Sequence, residues 1–248
     1  MLSEHFWFFA PDEPNHIRAT CALVGVYLTS VGRATNLILN IAPDQTGAVP
    51  ARDAAAYAAL GAAIACLFSA PLGEFTGVAL DATSGAAEVT WPAPVPSRGG
   101  EFNLSLVLQE DMAVTGQRIA EFSVEACVGS GGGIGGIGGG VGGSVEGGVG
   151  DGAGDLCASG QWVSMLPASL PTAAATAVGH KRILRVSLGG FAAGAAISAL
   201  RFTALSFYAW AGDGADGPPS PLVLARVAIY DWSGAAACVP QGCVLPGF

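Results

Sequence analysis

Hydrophobic residues near the N-terminus recur with a helical period. Leu23, Val26, Tyr27 and Val31 are three or four positions apart, which is the spacing of one face of an α-helix. A glycine commonly ends such a helix. We therefore predict an amphipathic helix that ends at Gly32.

A short, largely apolar run comes next. Residues 36–42 read Asn-Leu-Ile-Leu-Asn-Ile-Ala and are followed by Pro43, as expected of a buried strand. An alanine-rich run at 51–68 predicts a second helix, with Pro50 near its first turn and Pro71 beyond its end. Helix, strand, loop and helix in this order are typical of a βα unit, whose buried strand needs parallel neighbours on both sides. We expect those neighbours to lie outside this chain.

The pattern changes to short strands in the second part of the chain. Turn-rich gaps separate runs that lack a helical period, which predicts an antiparallel β-sandwich. Residues 71–98, with prolines at 92, 94 and 96, are interpreted as the junction that leads into it. Residues 129–154 are mostly glycine and predict a flexible loop inserted between two strands, because such insertions cost little closure entropy. The predicted strands are 102–109, 118–127, 161–165, 181–188, 199–208 and 222–230.

The composition is that of a globular, acidic protein. The chain has 248 residues, of which 51% are hydrophobic, and a formal net charge of −9, so it has enough apolar side chains for a sizeable core. Phosphate polymers are repelled by this charge, and we expect no nucleic-acid partner. The apolar runs at 54–68 and 191–210 are interpreted as a core helix and a buried strand pair, because the first is too short for a bilayer and the second contains Arg201. We expect no membrane insertion.

Six cysteines are present without the spacing of a metal site. There is no CxxC pair and no matching histidine arrangement, so we predict no metal and no cofactor. Cys127 and Cys157 flank the glycine-rich tract, and Cys238 and Cys243 are close enough in sequence to close a small loop. Disulfides at these two places would indicate an oxidising compartment. The first residues lack the basic region of a secretory signal.

The tripeptide Asn103-Leu104-Ser105 is an acceptor sequence for N-linked glycosylation. It falls within a predicted strand, where the folded chain would restrict access of the transferase.

The N-terminal segment carries an aromatic cluster followed by a carboxylate. Trp7, Phe8 and Phe9 precede Glu13 by a few residues. Apolar faces of sugars stack on aromatic rings, and carboxylic acids act on the glycosidic oxygen. The combination is typical of a sugar-binding site.

Two groups of motifs resemble family 29 α-L-fucosidases. The first comprises residues 7–13, 30–33, 36–40 and 43–50, and it resembles the C-terminal segment of the catalytic barrel, with its W-F-W-H-P-x-E and S-V-G-R-N-x-x-L-L-L-N-x-P-P-D motifs. The second resembles the β-sandwich that follows the barrel in those enzymes, with its E-x-I-x-x-G-Q-R-I-x-x-F and V-G-x-K-R-I motifs. Together they cover nearly the whole chain apart from the glycine-rich loop and the cysteine-bearing tail. The second group comprises Glu110, Gly116, Gln117, Arg118, Ile119, Phe122, Trp162 and residues 178–184.

The resemblance implies a fold that is α/β plus all-β. Residues 1–72 would be the final βα segment of a (β/α)8-type barrel, and residues 73–248 an antiparallel β-sandwich with the glycine-rich insertion at 129–154. The implied activity is retaining hydrolysis of terminal α-L-fucose from a fucosylated glycan, in an extracellular, vacuolar or lysosomal location. The aspartate nucleophile of the family would precede this chain, so we expect a C-terminal fragment that is inactive alone.

The same resemblance supplies candidate site residues. Glu13 lies at the position of the family's acid/base, and Trp7 and Phe9 would line the substrate pocket, while Phe8 is expected to pack in the core. Ala10 replaces a histidine that is frequent in the family, which removes a hydrogen-bond donor to the sugar.

Other charged and polar residues of these motifs are interpreted as structural. Arg33 and Asn36 would brace the loops of the site, because buried polar side chains mostly satisfy backbone groups. Residues 180–182, His-Lys-Arg, would seat the sandwich against the barrel.

Three alternatives stay open on the sequence alone. Glu13 could be a solvated loop acid, since acidic loop residues are often merely exposed. The chain could be a non-catalytic glycan-binding or scaffold domain that uses Trp162, Trp210 or Trp232 as stacking platforms. A glycine-rich structural protein is the third, which only the single glycine-rich tract favours.

Overall fold

The computed structural model describes residues 7–9, 11, 17–113, 116–130, 157, 160–166, 175–208 and 222–245. Two antiparallel sheets and two helices form this part of the chain, and a short 3₁₀ helix follows the last strand. The elements are, in chain order, α1 (Thr20–Thr29), α2 (Ala51–Leu67), β1 (Pro71–Ala79), β2 (Ala86–Pro96), β3 (Phe102–Glu110), β4 (Ile119–Ser130), β5 (Gly160–Ser164), β6 (Ala175–Thr176), β7 (Arg182–Leu188), β8 (Ala195–Phe207), β9 (Val223–Asp231) and the 3₁₀ helix Ala235–Cys238.

The sheets bury one shared hydrophobic core. One sheet has the strand order β1-β9-β3-β7, and the other has the order β2-β8-β4-β5 with β6 added beside β4. Strand β3 lies inside the first sheet, and its residues Leu104, Leu106 and Leu108 point into the shared core. Phe122 and Phe202 stack there from the second sheet, with ring centroids 5.3 Å apart. The alternating strand pattern therefore buries one face of each sheet against the other.

The two helices cover the opposite face of the first sheet. Leu23 and Leu28 of α1 and Leu60 of α2 are buried in a second cluster with Val107 of β3 and Ile183 of β7. Val107 follows Leu106 in sequence and so points away from the shared core. Strand β3 is therefore buried on both faces, which explains its nearly continuous apolar sequence. None of the helices in the described ranges is long and apolar enough to cross a membrane.

The predicted helices and β-rich region are confirmed, with shifted ends. Helix α1 ends at Thr29 instead of Gly32, and α2 matches the predicted range to within one residue. Each of the six predicted strands overlaps an observed one. The apolar run at 191–210 contains the single long strand β8, whereas a strand pair was expected.

Two predictions of local structure are wrong. Residues 36–42 form no strand among the described residues, because no other described segment pairs with them, and Ile38 is 86% exposed. Residues 71–98 were taken as a junction but contain all of β1 and β2. The prolines of β2 are tolerated because this strand lies at the edge of its sheet, where an N–H that points away from the sheet has no strand to bond with. The register of β2 against β8 also shifts between Thr90 and Val95.

All six cysteines form disulfides, and one predicted pairing is wrong. The bridge Cys127–Cys157 is present, as its position beside the glycine-rich tract predicted. Cys238 and Cys243 do not pair with each other. Instead Cys238 bonds to Cys66 of α2, and Cys243 bonds to Cys21 of α1. The tail was long enough in sequence to close its own loop, but the fold lays it across the two helices. The predicted glycine-rich loop lies outside the described residues, apart from the two that end β4.

Candidate functional site

The aromatic segment lies beside the start of α2. Trp7 is 67% exposed and Phe8 is 85% exposed, so Phe8 does not pack in a core formed by the described residues. Phe9 is half-buried, and the guanidinium of Arg52 lies 5.7 Å from its ring centroid. Two aromatic faces are thus open to solvent next to a ring that a cation covers.

Arg52 and Asp53 are the only charged residues of α2. They lie in its first turn, where the negative charge of Asp53 interacts favourably with the positive end of the helix dipole. The Nε of Arg52 is 3.4 Å from Oδ1 of Asp53, and Asp53 is 7% exposed. The helix therefore presents one cation toward the aromatic segment and holds one buried acid beside that cation. Sequence reasoning missed this pair, although two charges in an otherwise uncharged, alanine-rich helix were a visible signal.

Two hydrogen bonds tie residues 39–40 to their surroundings. The hydroxyl of Tyr57 on α2 donates to the carbonyl of Leu39. Burial, together with the nearby charge of Asp53, raises the pKa of Tyr57, so the hydroxyl stays a donor well above neutral pH. The side-chain amide of Asn40 donates to the carbonyl of Trp7 at 3.5 Å. The segment predicted as a strand is thus tied to α2 through Leu39 and to the aromatic residues through Asn40.

Asp44 organises the loop that leads into α2. Its Oδ1 accepts hydrogen bonds from the hydroxyl of Thr46 at 2.6 Å, from the N–H of Thr46 at 2.8 Å and from the N–H of Ala48 at 3.0 Å. These bonds, with that of the Thr46 hydroxyl the strongest, lower the pKa of Asp44. The Pro-Asp pair of the motif therefore serves a turn, a common use of aspartate side chains.

The proposed acid/base lies outside the described residues. Glu13 therefore stays a prediction, as do the substrate contacts of Trp7 and Phe9. Asn36 is exposed, and Arg33 is exposed but pairs through its backbone with Arg182 in an isolated β-bridge.

The second group of motif residues meets in one buried network. Glu110 is 5% exposed, and its Oε1 accepts from the N–H groups of Arg118 at 2.8 Å and Ile119 at 2.9 Å. Its Oε2 accepts from the N–H of Gly179 at 2.6 Å. The side-chain amide of Gln109 also donates to the carbonyl of His180 at 2.9 Å. These residues hold three chain segments together and thus have a structural role.

Lys181 connects the strands to α1. Its ammonium group donates to the hydroxyl of Tyr27 at 3.2 Å and lies 5.9 Å from the centroid of the same ring. Its carbonyl accepts from the N–H of Ala34 at 2.9 Å, and the N–H of Ile183 donates to the carbonyl of Gly32 at 2.8 Å. Lys181 therefore contacts α1, whereas the expected seating of the basic triplet against a barrel stays a prediction.

Two of the three tryptophans proposed as stacking platforms are not open surfaces. Trp232 is 3% exposed and packs in the cluster beneath the helices. Trp162 is half-buried, and the guanidinium of Arg201 lies 4.0 Å from its ring centroid. Trp210 lies outside the described residues. Glycan binding on the first two rings would require Arg201 to move or the core to open.

Chemically, the described part of the site offers an exposed aromatic face but supplies no pair of catalytic acids. The exposed ring of Trp7 provides a stacking face, and the groups around it position the loop. No group of three or more His, Cys, Asp or Glu side chains that could hold a metal is found within the described ranges.

The fold is similar to that of solved glycoside hydrolases. No family model and no curated protein sequence matches the chain. A protein assigned as an α-L-fucosidase from Bacteroides thetaiotaomicron VPI-5482 shares 23% identity with a TM-score of 0.58, over 92% of this chain and 37% of that protein. A fucosidase of glycoside hydrolase family 29 from Ruminococcus gnavus, solved with fucose, shares 16% identity with a TM-score of 0.57, over 96% of this chain and 41% of that protein. A family 29 member from an unknown rumen bacterium shares 20% identity with a TM-score of 0.55, over 90% of this chain and 30% of that protein.

At these identities the likeness concerns the fold. The chain spans less than half of the length of each of these structures, while nearly all of it is matched. The resemblance in sequence motifs and the likeness in structure thus lead to the same group of proteins by separate routes.

Proposed function

We propose that this chain is the C-terminal part of a retaining α-L-fucosidase. Residues 1–72 contribute the last segment of the catalytic barrel, and residues 73–248 form the β-domain that supports it. The observation that carries the proposal is the match of more than nine-tenths of this chain to family 29 structures of more than twice its length.

The exposed apolar surface of the N-terminal segment supports this arrangement. Trp7, Phe8, Ile38 and Val49 are each more than half exposed, and we propose that they belong to one apolar patch of the kind that usually marks an interface. Residues 36–42 are largely apolar, yet none of their N–H groups donates to a backbone carbonyl in the described part of the chain. A strand of the preceding barrel would satisfy those groups and cover the side chains.

The proposed chemistry divides between the two parts. The nucleophilic aspartate belongs to the preceding barrel strands, and Glu13 protonates the leaving oxygen and later activates water. The two carboxylates of a retaining enzyme are about 5 to 5.5 Å apart. Trp7 offers its ring to the apolar side of fucose, and Asn40 and Arg52 hold the segment that carries both residues.

The three disulfides support an oxidising location for this enzyme. All six cysteines are paired, and such pairing is stable in secreted, vacuolar or lysosomal proteins but not in a reducing cytosol.

The experiment is a chimaera. The matched part of the Bacteroides thetaiotaomicron protein is replaced by residues 1–248, and hydrolysis of 4-nitrophenyl α-L-fucoside and of a fucosyl disaccharide is measured. We expect activity from the chimaera and none from the isolated chain.

Two neighbouring acids provide a matched test within the chimaera. Glu13→Gln should lower kcat/KM on the disaccharide about 100-fold or more, as for loss of a general acid. The loss should be smaller on the nitrophenyl substrate, because nitrophenolate leaves without protonation. Asp12→Asn is the control and should retain activity. An equal fold-loss of kcat/KM on both substrates, relative to the chimaera with Glu13, would contradict the acid/base role.

A further inference from the structure

We propose that Asn103 carries an N-linked glycan that is attached before the first sheet forms. This inference does not depend on the proposed hydrolase activity. It starts from the tripeptide Asn103-Leu104-Ser105, the only acceptor sequence of its kind in the chain.

The side chain of Asn103 is free to carry a large group. The residue is exposed, whereas its neighbours Phe102 and Leu104 are 2% and 3% exposed and point into the shared core. Asn103 therefore lies on the opposite face of β3, and its cross-strand partner Ser187 is exposed as well. The Asn103 side chain makes no hydrogen bond in the described part of the chain. A glycan at this position would displace no side-chain hydrogen bond of the described part of the chain.

Asn103 lies near the start of β3, where its side chain is open to solvent. Val107 on the same face packs beneath the helices, four residues or roughly 13 Å away along the strand. Ser105 between them is fully buried, whereas Asn103 itself is exposed. The edge of the covered area therefore lies between Ser105 and Asn103.

Ser105 provides an independent argument. It is fully buried, and its hydroxyl has no hydrogen-bond partner among the described residues. A buried hydroxyl without a partner destabilises a fold by about 1–3 kcal/mol, so the native structure gives no reason for a serine here. The acceptor sequence does give one, because the transferase requires a hydroxyl two residues after the asparagine.

The burial of Ser105 also fixes the order of events. Strand β3 pairs with β7 on one side and β9 on the other, so the acceptor backbone is inaccessible once the sheet is complete. The disulfides indicate folding in an oxidising compartment. In a secretory pathway that performs N-glycosylation, the emerging chain meets the transferase there before it folds.

The modification is a group transfer in which the acceptor amide replaces the lipid diphosphate on the anomeric carbon of the sugar. The side-chain amide nitrogen of Asn103 attacks the anomeric carbon of a lipid-diphosphate-linked oligosaccharide. The C–N bond forms as the sugar–phosphate C–O bond breaks, the nitrogen loses one proton, and the lipid diphosphate leaves. The transferase and the oligosaccharide donor come from the host compartment.

The test is expression of residues 1–248 behind a cleavable secretion signal in eukaryotic cells. Secreted and cell-retained protein are both treated with an amidase that releases N-glycans and converts the modified asparagine to aspartate. Trypsin then yields residues 99–118, in which Asn103 is the only asparagine. We expect a mass shift of the chain on treatment and aspartate at position 103. Unmodified Asn103 in both the secreted and the retained protein would overturn the proposal.

Two variants separate modification from folding. Asn103→Gln should be secreted without a glycan. Ser105→Ala should also lose the glycan, yet its thermal unfolding midpoint should equal or exceed that of unmodified Asn103→Gln, because the removed hydroxyl has no partner. A glycan that persists on Ser105→Ala, or a clearly lower midpoint for this variant, would contradict the inference.

Discussion

Glu110 and Gly179 are joined by a reciprocal pair of hydrogen bonds. The N–H of Gly179 donates to Oε2 of Glu110 at 2.6 Å, and the N–H of Glu110 donates to the carbonyl of Gly179 at 2.9 Å. Gly179 has a φ of +57°, and a Cβ at this residue would lie 2.7 Å from the Cβ of Ala34. A carboxylate at the end of β3 thus orders the segment that precedes β7, beside the loop after α1.

This geometry predicts a large effect of Glu110→Gln. The amide has one acceptor oxygen, so it cannot serve the three N–H donors of Arg118, Ile119 and Gly179, and its own NH2 group would face at least one of them. We expect a loss of about 3 kcal/mol in the free energy of unfolding. Denaturant titration measures it. Glu101→Gln is the control, because Glu101 is exposed and its side chain makes no hydrogen bond in the described part. A similar midpoint for the two variants would show that the network is not stabilising.

Substitution of Gly32 should cause a steric clash, and substitution of a second glycine, Gly61, provides the experimental control. A Cβ at Gly32 would lie 2.3 Å from the carbonyl oxygen of Leu28 and 3.2 Å from the Cβ of Ile183, so the contact between α1 and β7 would have to open. We expect Gly32→Ala to lower the free energy of unfolding by about 1–3 kcal/mol, as for overpacking.

Gly61→Ala is the matched control for this prediction. Gly61 lies within α2, and a Cβ there has no neighbour within 4 Å. Alanine favours a helix over glycine by about 1 kcal/mol, so this variant should be more stable than the parent chain. Thermal unfolding of both variants gives the comparison, and changes of the same sign would contradict the steric explanation.

These positions show how far the sequence determines the fold. Six strands and two helices follow from periodicity, because β3 and α2 carry strong apolar patterns. Strand β1 was missed, since its nine residues include two glycines and a proline and none of them is fully buried. The ring of Trp91 occupies the space that a Cβ at Gly73 would fill, only 1.6 Å from Nε1. A sequence pattern does not reveal such a long-range fit.

The site was predictable in part for similar reasons. The aromatic cluster at Trp7 is a local motif and is visible in sequence. The contacts of Arg52 with Phe9 and of Asn40 with Trp7 join residues that are far apart in sequence, and only the fold brings them together. The pairing of Cys66 with Cys238 has the same origin, because sequence proximity favoured Cys243.

The ion pair of Glu74 and Arg226 predicts a pH dependence of stability. Nε of Arg226 lies 2.7 Å from Oε1 of Glu74, and this hydrogen bond lowers the pKa of Glu74 below its ordinary value of 4.5. A lowered pKa in the folded state means that the stabilisation is present above the unfolded pKa and is lost as pH falls through the folded pKa.

Glu74→Gln should therefore weaken the dependence of stability on acid. The pair is partly exposed, so its contribution at neutral pH is at most about 1 kcal/mol. Denaturant midpoints are measured at neutral pH and again below the pKa of Glu74. The difference between parent and variant should be present at neutral pH and vanish in acid, whereas a difference that stays constant with pH would exclude the ion pair as its cause.

The disulfides predict how the C-terminal tail is attached. The bridges Cys21–Cys243 and Cys66–Cys238 span 222 and 172 residues, whereas Cys127–Cys157 spans 30. Cross-links that close long loops restrict the unfolded chain most, and a typical bridge stabilises by about 2–4 kcal/mol.

Replacement of both cysteines of one tail bridge by alanine should leave the tail tied by the other bridge. Removal of both tail bridges should release it. Val239, buried in the tail beneath the helices, would then become accessible. Limited proteolysis followed by mass spectrometry should show cleavage after residue 232 only when both bridges are absent. Cleavage there in the parent chain, or protection in the variant without either bridge, would show that packing and not the disulfides holds the tail.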